Sequence, residues 1–324
     1  MKCEVIFGIT LIHLTFCGIG NVLDVSYWTC LLKKRYSCPD NDIKFYLYTP
    51  DDYSYHKPMR KRIDVRNSLA LSYSGWDSQK KNVIIIHGFN GTESKTPMTI
   101  IRDAYLQRGD YNVFMVDWLP LARFPCYISS LSNTRLLGQC VAQLYAYIMD
   151  LGGLAEKTVC VGHSLGAHIC GMVSNHLTIK QHKIVGLDPA RPLVSQFGST
   201  EFRLSPEDAH QVQIIHTNAG VLGDSHRSGH VNFCVNGGIH QPGCKGHKLR
   251  RARCSHFQSA CYFAATVRDG SAMIGRLCSD HCPKKSSNWG YLPGKSIPMG
   301  HDTPFNARGT YCVTNTGEDD CPFN

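Results

Sequence analysis

The sequence Val161-Gly162-His163-Ser164-Leu165-Gly166 lies between a β-branched run and a stretch with helical spacing. It fits the pattern G-x-S-x-G, in which a serine stands on a sharp turn from a strand into a helix. Glycines are required there because the backbone turns so tightly that a side chain would clash. The pattern therefore predicts a strand–serine–helix turn that raises the hydroxyl of Ser164 above a sheet. The alternative is an ordinary glycine-rich turn whose serine only caps the helix.

Apolar runs and helical patterns alternate on both sides of this turn. Short runs rich in β-branched residues occupy positions 82–86, 113–116, 158–161, 184–187 and 211–215. Apolar residues recur at helical spacing over 135–151 and 165–177. Such strands, alternating with helices, indicate a mostly parallel sheet covered on both faces. We therefore predict an α/β fold, and a single domain, because no repeat or Pro/Ser-rich linker divides the chain.

The composition is that of a folded protein with a basic surface. With 43% hydrophobic and 18% charged residues, the 324-residue chain can bury a large core, which excludes wholesale disorder. Lys and Arg number 34 against 25 for Asp and Glu, so the net charge is +9. This excess favours an anionic partner, such as a phospholipid surface or a polyanionic glycan. Nucleic acid is not expected, because no segment clusters basic and aromatic residues as nucleic-acid modules do.

The N-terminal segment has the pattern of a secretion signal. Lys2 gives a basic start, a mostly apolar run continues to position 17, and Gly18-Ile19-Gly20 offers small residues for cleavage. The run is too short to span a bilayer. We predict that residues 1–20 are removed and that the mature protein is secreted. Loss of Cys3 and Cys17 then leaves fourteen of the sixteen cysteines for an oxidising compartment; a retained, membrane-anchoring signal is the alternative.

A serine nucleophile needs a histidine base and an acid that orients it, in the order Ser, acid, His for this fold class. Asp188 follows the apolar run 184–187, which puts it at the carboxyl end of a predicted strand. Nine histidines follow Asp188, and spacing alone does not choose among them. His216 ends a predicted strand and His256 follows Cys254, so both are candidates. A turn-forming Asp188 without a chemical role is the alternative.

Two backbone N–H groups are needed to bind the oxyanion that forms when an ester carbonyl is attacked. The amide of Leu165, directly after the serine, is the first candidate. The second should come from the loop after an early strand, where His87-Gly88-Phe89 makes the amide of Phe89 the candidate. The adjacent sequon Asn90-Gly91-Thr92 predicts glycosylation of Asn90 next to this loop.

Several longer motifs occur in a fixed order along the chain. They are Ile85-Ile86-His87-Gly88-Phe89, Met115-Val116-Asp117-Trp118, Gly162-His163-Ser164-Leu165-Gly166-Ala167-His168, Gly186-Leu187-Asp188-Pro189-Ala190-Arg191-Pro192, Asn236-Gly237-Gly238, Gln241-Pro242-Gly243-Cys244 and Cys254-Ser255-His256. Together they resemble the pancreatic-type lipase family of the α/β-hydrolase fold, and most of all its secreted phospholipase A1 branch, known from insects and wasp venoms. The resemblance implies a catalytic triad of Ser164, Asp188 and His256, a structural His216, and no metal or organic cofactor.

Loop lengths separate the branches of this family. The lid runs from Cys244 to Cys254 with nine residues between them, and we predict that these two cysteines pair. The neighbouring loop, 218–229, is also short. In this family a short lid goes with hydrolysis of the sn-1 acyl ester of phospholipids in membranes or micelles, which is the predicted activity. A triacylglycerol or galactolipid lipase, and a lipid-binding protein without activity, are the alternatives.

The lid is strongly basic. Between its cysteines lie Lys245, Lys248, Arg250, Arg251 and Arg253. Near an anionic bilayer each cation is worth at most about 1 kcal/mol, an attraction that salt screens. We predict that these side chains contact the lipid surface and favour acidic lipids. A solvated basic loop is the alternative.

The resemblance also implies how the rest of the chain is organised. Residues 21–324 are expected to form one catalytic domain without a C-terminal β-sandwich, and thus a monomer that uses no colipase. Some members of the family bind calcium through a segment with three carboxylates. The corresponding residues here are Thr200, Arg203, Ser205 and Asp208. Hydroxyls replace two of the three carboxylates, so calcium is not expected.

Three further expectations concern the cysteines. The resemblance implies that Cys38 pairs with Cys126. Their closeness in the sequence favours a pair between Cys312 and Cys321. Cys160 and Cys170 flank the serine on a buried strand and helix, where inert free thiols are expected.

Overall fold

The computed structural model of the chain describes residues 6–8, 11–13, 29–34, 36–50, 58–196, 200–268, 273–278, 282 and 294–315. Within the predicted signal it describes two short strands, β1 (Ile6–Gly8) and β2 (Leu11–His13), which pair antiparallel. The cleavage site of the predicted signal and Cys321 lie outside the described residues.

A mixed sheet of eleven strands forms the centre of the molecule. Its strands are β3 (Lys44–Thr49), β4 (Met59–Ile63), β5 (Lys81–Ile86), β6 (Tyr111–Asp117), β7 (Thr158–His163), β8 (Gln181–Leu187), β9 (Ala209–His216), β10 (Val231–Val235), β11 (Ile274–Leu277), β12 (Ile297–Pro298) and β13 (Gly309–Val313). The spatial order is β12-β11-β13-β10-β9-β8-β7-β5-β6-β3-β4. The strands from β13 to β6 in this order run parallel, and the pairs at both edges are antiparallel.

Helices cover both faces of the sheet. They are α1 (Met98–Arg108), α2 (Leu119–Ala122), α3 (Tyr127–Asp150), α4 (Leu165–Val173) and α5 (Lys248–Arg268). Helices α3 and α4 pack together on one face, and α1 and α5 pack together on the other. Among the described residues, no helix combines the length and apolar character needed to cross a membrane.

Strand β5 explains why the central strands are unbroken apolar runs. Ile84 and Ile86 enter the core under α3 and α4, whereas Val83 and Ile85 enter the core under α1 and α5. Successive residues of a strand point to opposite faces, so a strand covered on both faces needs apolar residues throughout. The predicted α/β-hydrolase architecture, a mostly parallel sheet with helices on both faces, is confirmed.

The predicted elements correspond closely to observed ones. The five predicted strands are β5 to β9, each one to three residues longer than predicted. The helix predicted at 135–151 begins earlier, at Tyr127. Its first turns were not predicted because they carry buried polar residues, such as Ser130 and Asn133, in place of an apolar stripe. The helix predicted at 165–177 ends at Val173 and continues as the 3-10 turn Ser174–His176.

Six disulfides join described cysteines. They are Cys30–Cys126, Cys38–Cys140, Cys160–Cys170, Cys234–Cys282, Cys244–Cys254 and Cys278–Cys312. The predicted lid pair, Cys244–Cys254, is present. Three other expectations about the cysteines are wrong.

The pairing of Cys38 with Cys126 is the first of these. Cys126 precedes α3, and Cys140 lies about 21 Å further along that helix at its standard rise per residue. The two cysteines therefore bond different parts of the N-terminal segment. Cys126 pairs with Cys30, and Cys140 pairs with Cys38, whose Cα atom lies 5.1 Å away.

The other two errors have local causes. Cys312 lies on β13 and pairs not with Cys321 but with Cys278, which directly follows the adjacent strand β11. Cys160 and Cys170 are not free thiols but a disulfide. Strand β7 and helix α4 pack so closely at the serine turn that the two Cα atoms are 5.9 Å apart, within the reach of a disulfide.

Candidate active site

Ser164 stands between β7 and α4 on a strained turn. Its backbone angles, φ 57° and ψ −120°, are rare for a residue with a side chain. A Cβ on Gly162 would lie 2.2 Å from the carbonyl oxygen of Gly166, and one on Gly166 would lie 2.2 Å from that of Ile86. Only glycine fits at both positions. The predicted strand–serine–helix turn is therefore present.

Asp188 and His256 form a buried hydrogen-bonded pair. Asp188 directly follows β8 and is fully buried, and His256 lies on α5. Nδ1 of His256 is 2.6 Å from Oδ2 of Asp188. Oδ1 of Asp188 accepts the backbone N–H groups of Thr217 and Asn218 at 2.9 and 3.0 Å. Both carboxylate oxygens are thus fixed, and the imidazole is oriented with Nδ1 toward the acid.

Three residues around Asp188 were not identified from the sequence. Thr217 and Asn218 contribute only backbone amides, which leave no signal in the residue type. A Cβ on Gly223 would lie 2.4 Å from both carboxylate oxygens of Asp188, so this glycine makes the space that the acid occupies. The position of Thr217 and Asn218 directly after a predicted strand was the one available signal.

His216, the other candidate base, has different partners. Its Nδ1 lies 3.1 Å from the carbonyl oxygen of Asp224, and its Nε2 lies 3.4 Å from Oδ1 of Asn232. Both ring nitrogens therefore contact the loop and strand that follow β9. Of the two candidates, His256 is therefore the one that the structure brings into contact with Asp188.

The loop after β5 brings Phe89 close to the serine. A Cβ on Gly88 would lie 3.1 Å from Oγ of Ser164, so the backbone that leads to the Phe89 amide passes beside the hydroxyl. Leu165 is the first residue of α4, where an N–H group has no acceptor within the helix. The residues predicted to supply the two oxyanion donors therefore flank Ser164.

Hydrogen bonds with Trp118, which lies between β6 and α2, and with α2 itself hold this loop in place. Nε2 of His87 accepts the backbone N–H of Trp118 at 3.0 Å. The indole N–H of Trp118 donates in return to the carbonyl oxygen of His87 at 2.9 Å. The N–H of Asn90 donates to the carbonyl oxygen of Ala122 at 2.7 Å. The side chain of Asn90 is exposed, and its glycosylation stays a prediction.

His163, directly before the serine, is buried and contacts His256. Its Nε2–H donates to the carbonyl oxygen of His256 at 3.1 Å, and the two ring centroids are 4.6 Å apart. Burial above all, and the neighbouring His256, keep the pKa of His163 well below its ordinary value. His163 is therefore neutral at physiological pH and adds no positive charge beside His256.

Comparison with known proteins identifies the family of this chain. The family model described as Lipase matches residues 25–308. This chain belongs to the lipase family. The family resemblance inferred from the sequence motifs is thereby confirmed.

Relatives of this lipase-family chain include two phospholipases. Phospholipase A1 member A of Bos taurus is 31% identical over 74% of this chain and 52% of its own length. Phospholipase A1 1 of Dolichovespula maculata is 30% identical over 70% of both chains. Pancreatic lipase-related protein 2 of Rattus norvegicus is 28% identical over 82% of this chain and 60% of its own length. The chain thus spans about half the length of its bovine relative.

The lid of this lipase-family chain is partly helical. Because α5 begins at Lys248, the predicted nine-residue loop contains only three loop residues before the helix. Four of its five cations are exposed, and Arg251 is partly buried. Leu249 is 67% exposed, so it forms no apolar lid face with other residues. The first turn of α5 carries no acidic residue, which leaves its positive helix end and its cations uncompensated there.

A cavity of about 170 Å³ opens between the loop after β5 and α5. Its lining combines the loop after β5, the start of α1, and side chains from β7 and α5. The residues are His87, Gly88, Phe89, Asn90, Gly91, Thr92, Lys95, Thr96, Pro97, Met98, Leu119, His163, Arg253 and Phe257. The lining thus combines polar and cationic side chains with Gly88 and His163, two neighbours of Ser164.

The segment that corresponds to the calcium pattern has a structural role. Asp208 and Ser205 form a capping box at the start of the 3-10 turn Pro206–Asp208, in which the Ser205 N–H donates to Oδ2 of Asp208 at 2.8 Å. Burial raises the pKa of Asp208 to about 6. Among the described residues, no group of three or more His, Cys, Asp or Glu side chains could hold a metal ion.

Proposed function

We propose that this chain is an ester hydrolase that works through Ser164, Asp188 and His256. The observation that carries the proposal is the 2.6 Å contact between buried Asp188 and Nδ1 of His256, next to a serine on a strained strand-to-helix turn. Ser164 attacks the ester carbonyl while His256 takes its proton. Asp188 holds the imidazole in the required tautomer and stabilises its cation. His256 then returns the proton to the leaving alcohol and activates the water that hydrolyses the acyl-enzyme.

The backbone amides of Phe89 and Leu165 bind the tetrahedral oxyanion in this proposal. The close approach of Gly88 to Ser164 supports the assignment of Phe89. The position of Leu165 at the start of α4 supports the second donor. Loss of one such donor costs about 3 kcal/mol of transition-state stabilisation.

The proposed substrate is the sn-1 acyl ester of a phospholipid in a membrane or micelle. The short lid, with nine residues between Cys244 and Cys254, supports it. So do the names of the bovine and wasp relatives, both phospholipases A1. The proposed lipid-surface contacts are the lid cations Lys245, Lys248, Arg250, Arg251 and Arg253, most of which are exposed.

The proposed setting is extracellular. Disulfides are stable in oxidising compartments and rare in the cytosol, and six join described residues of this chain. We further propose that residues 1–20 are a cleaved signal, that Asn90 carries a glycan, and that residues 21–324 act as one catalytic domain, a monomer without colipase.

The test compares the purified protein with its Ser164→Ala variant. Both receive a phospholipid with different acyl chains at sn-1 and sn-2, and a triglyceride emulsion. We expect release of the sn-1 acid, lowered about a million-fold in the variant. Ser78→Ala, which removes an exposed serine hydroxyl from a turn, is the control and should retain full activity.

Other outcomes separate the alternatives. Preferential release of fatty acid from the triglyceride would contradict the phospholipid assignment but retain the triad. Release from neither substrate, together with no labelling of Ser164 by a covalent serine-hydrolase reagent, would indicate a lipid-binding protein.

A further inference from the structure

Two cations line the cavity beside the serine. Lys95 enters from the loop before α1, and Arg253 enters from α5. Among the described residues, neither makes an ion pair with a carboxylate. The acids near this loop already have partners, since Glu93 forms an ion pair with Arg60 at 2.7 Å and Asp117 accepts the backbone N–H of Leu119 at 3.2 Å. The cavity therefore carries an uncompensated positive charge.

Two features relate the charged cavity to Ser164 and His256. Gly88 lines the cavity and also abuts Ser164, whose Oγ would lie 3.1 Å from a Cβ at that glycine. Arg253 lies three residues before His256 on α5, which places it one helical turn away. The cavity therefore adjoins the serine turn through Gly88 and through His163, the residue directly before Ser164.

The guanidinium of Arg253 has a preferred place on this wall. It lies 5.3 Å from the ring centroid of Phe257, one turn further along the same helix. This cation–π contact lets the side chain remain ordered without a carboxylate partner. An anion in the cavity would then meet a guanidinium with N–H donors still available.

We propose that Lys95 and Arg253 form a subsite for the phosphate of a bound phospholipid. This rests on the proposed function. In a glycerophospholipid only a few covalent bonds separate the sn-1 carbonyl carbon from the phosphorus atom. In this proposal, a substrate whose sn-1 carbonyl lies at Ser164 extends its phosphate into the adjoining cavity. A triglyceride has a neutral third ester at that point and gains nothing from the two cations, so the subsite selects phospholipid over triglyceride.

The test uses soluble substrates so that binding to a lipid surface plays no part. These are dibutyryl phosphatidylcholine and tributyrin, which carry the same acyl chain. The double variant Lys95→Met, Arg253→Met is compared with Arg62→Met, Lys180→Met, which removes one exposed cation of each type that does not line the cavity. We expect the ratio of kcat/KM for phosphatidylcholine to kcat/KM for tributyrin to fall at least tenfold in the first variant. An unchanged ratio overturns the subsite.

Binding to the Ser164→Ala variant separates this proposal from the proposed function. In that background, Lys95→Met with Arg253→Met should weaken the Kd for dibutyryl phosphatidylcholine at least tenfold, measured by calorimetry. If the wild-type protein hydrolyses neither ester but the Kd still weakens, the proposed function fails and the subsite stands. If the Kd is unchanged, the subsite is wrong whatever the activity.

Discussion

The turn that carries Ser164 and the lid are both short segments that a disulfide closes. Each is bridged by a disulfide whose cysteines are ten positions apart, Cys160–Cys170 and Cys244–Cys254. Every residue between Cys160 and Cys170 is buried, whereas seven of the nine between Cys244 and Cys254 are exposed. Disulfide loops of the same length therefore enclose a segment of the core at the serine turn and a segment of the surface in the lid.

The difference shows how constraint is distributed around the site. The strained backbone of Ser164 costs of order 1–3 kcal/mol, and such a conformation persists only where the surroundings enforce it. Tight glycine contacts, helix packing and a disulfide all act on that turn. The lid is held by its disulfide and by the start of α5. The fixed segment serves the proposed chemistry, and the solvated segment serves the proposed contact with lipid.

The largest effect should come from the buried acid next to the serine turn. Asp188→Asn should lower kcat about ten-thousand-fold, because an amide holds the histidine in the wrong tautomer. The rate of fatty-acid release from phospholipid vesicles measures it. Asp110→Asn, a change at a surface ion pair, is the control. A loss of less than tenfold in Asp188→Asn would contradict the role of this acid.

The same substitution in both segments compares them directly. Gly166→Ala should lower the free energy of unfolding by about 3 kcal/mol or more, because its Cβ meets the backbone of β5. Gly246→Ala should cost about 1 kcal/mol, since its φ is +98° but its nearest neighbour is the flexible side chain of Arg250. Urea denaturation measures both values. Equal losses would show that the turn is no more constrained than the lid.

The buried histidine of α4 predicts a dependence of stability on pH. Nε2–H of His168 donates to the carbonyl oxygen of Ala190 at 2.8 Å, and its Nδ1 accepts the N–H of Leu204 at 3.1 Å. Protonation would break the second bond, and burial lowers the pKa of His168 below 6.5. The unfolded chain therefore binds this proton first, so the stability that His168 contributes is complete above pH 6.5 and is lost as the pH falls below it.

The slope of the free energy of unfolding against pH measures the contribution of His168. Below pH 6.5 the free energy of unfolding of the wild type should fall by up to about 1.4 kcal/mol per pH unit more than that of His168→Gln. Denaturation between pH 7.5 and 5 gives both slopes, and the use of a difference cancels the opposing contribution of Asp208. Parallel slopes for the two proteins would rule out the titration of His168.

The smallest effect should come from a single exposed lid cation. Arg250→Gln should weaken binding to vesicles of acidic phospholipid by at most about fivefold, since one cation near such a surface contributes about 1 kcal/mol. The effect should vanish at high salt, where the charges are screened. Sedimentation with vesicles at low and high salt measures it, and neutral vesicles are the control. A loss that persists at high salt would point to a role other than surface attraction.

The sequence predicted the constrained segment better than the exposed one. The glycine pattern around Ser164 has one steric solution, so residue types alone indicate the turn. Strand β4 was missed because three of its five residues are cations and its apolar residues do not alternate with them. The amides of Thr217 and Asn218 could not be predicted, since any residue supplies an N–H group.

The cysteines show the same limit. Cys244 and Cys254 are only ten positions apart in the sequence, so their pairing could be predicted. The partners of Cys38 and Cys126 depend on how an N-terminal segment lies along α3, a distance that only the folded chain defines.

Helix α5 carries several lid cations, the cavity residue Arg253 and the proposed base His256 on one continuous helix. An inserted residue advances a helix by about 100°, so an insertion between Arg253 and His256 would rotate one away from the other. An insertion between Cys244 and Lys248 falls in the loop and leaves the helical register intact. Length variation among natural or engineered forms of this protein is therefore expected ahead of Lys248, where the lid can grow without disturbing the position of the base.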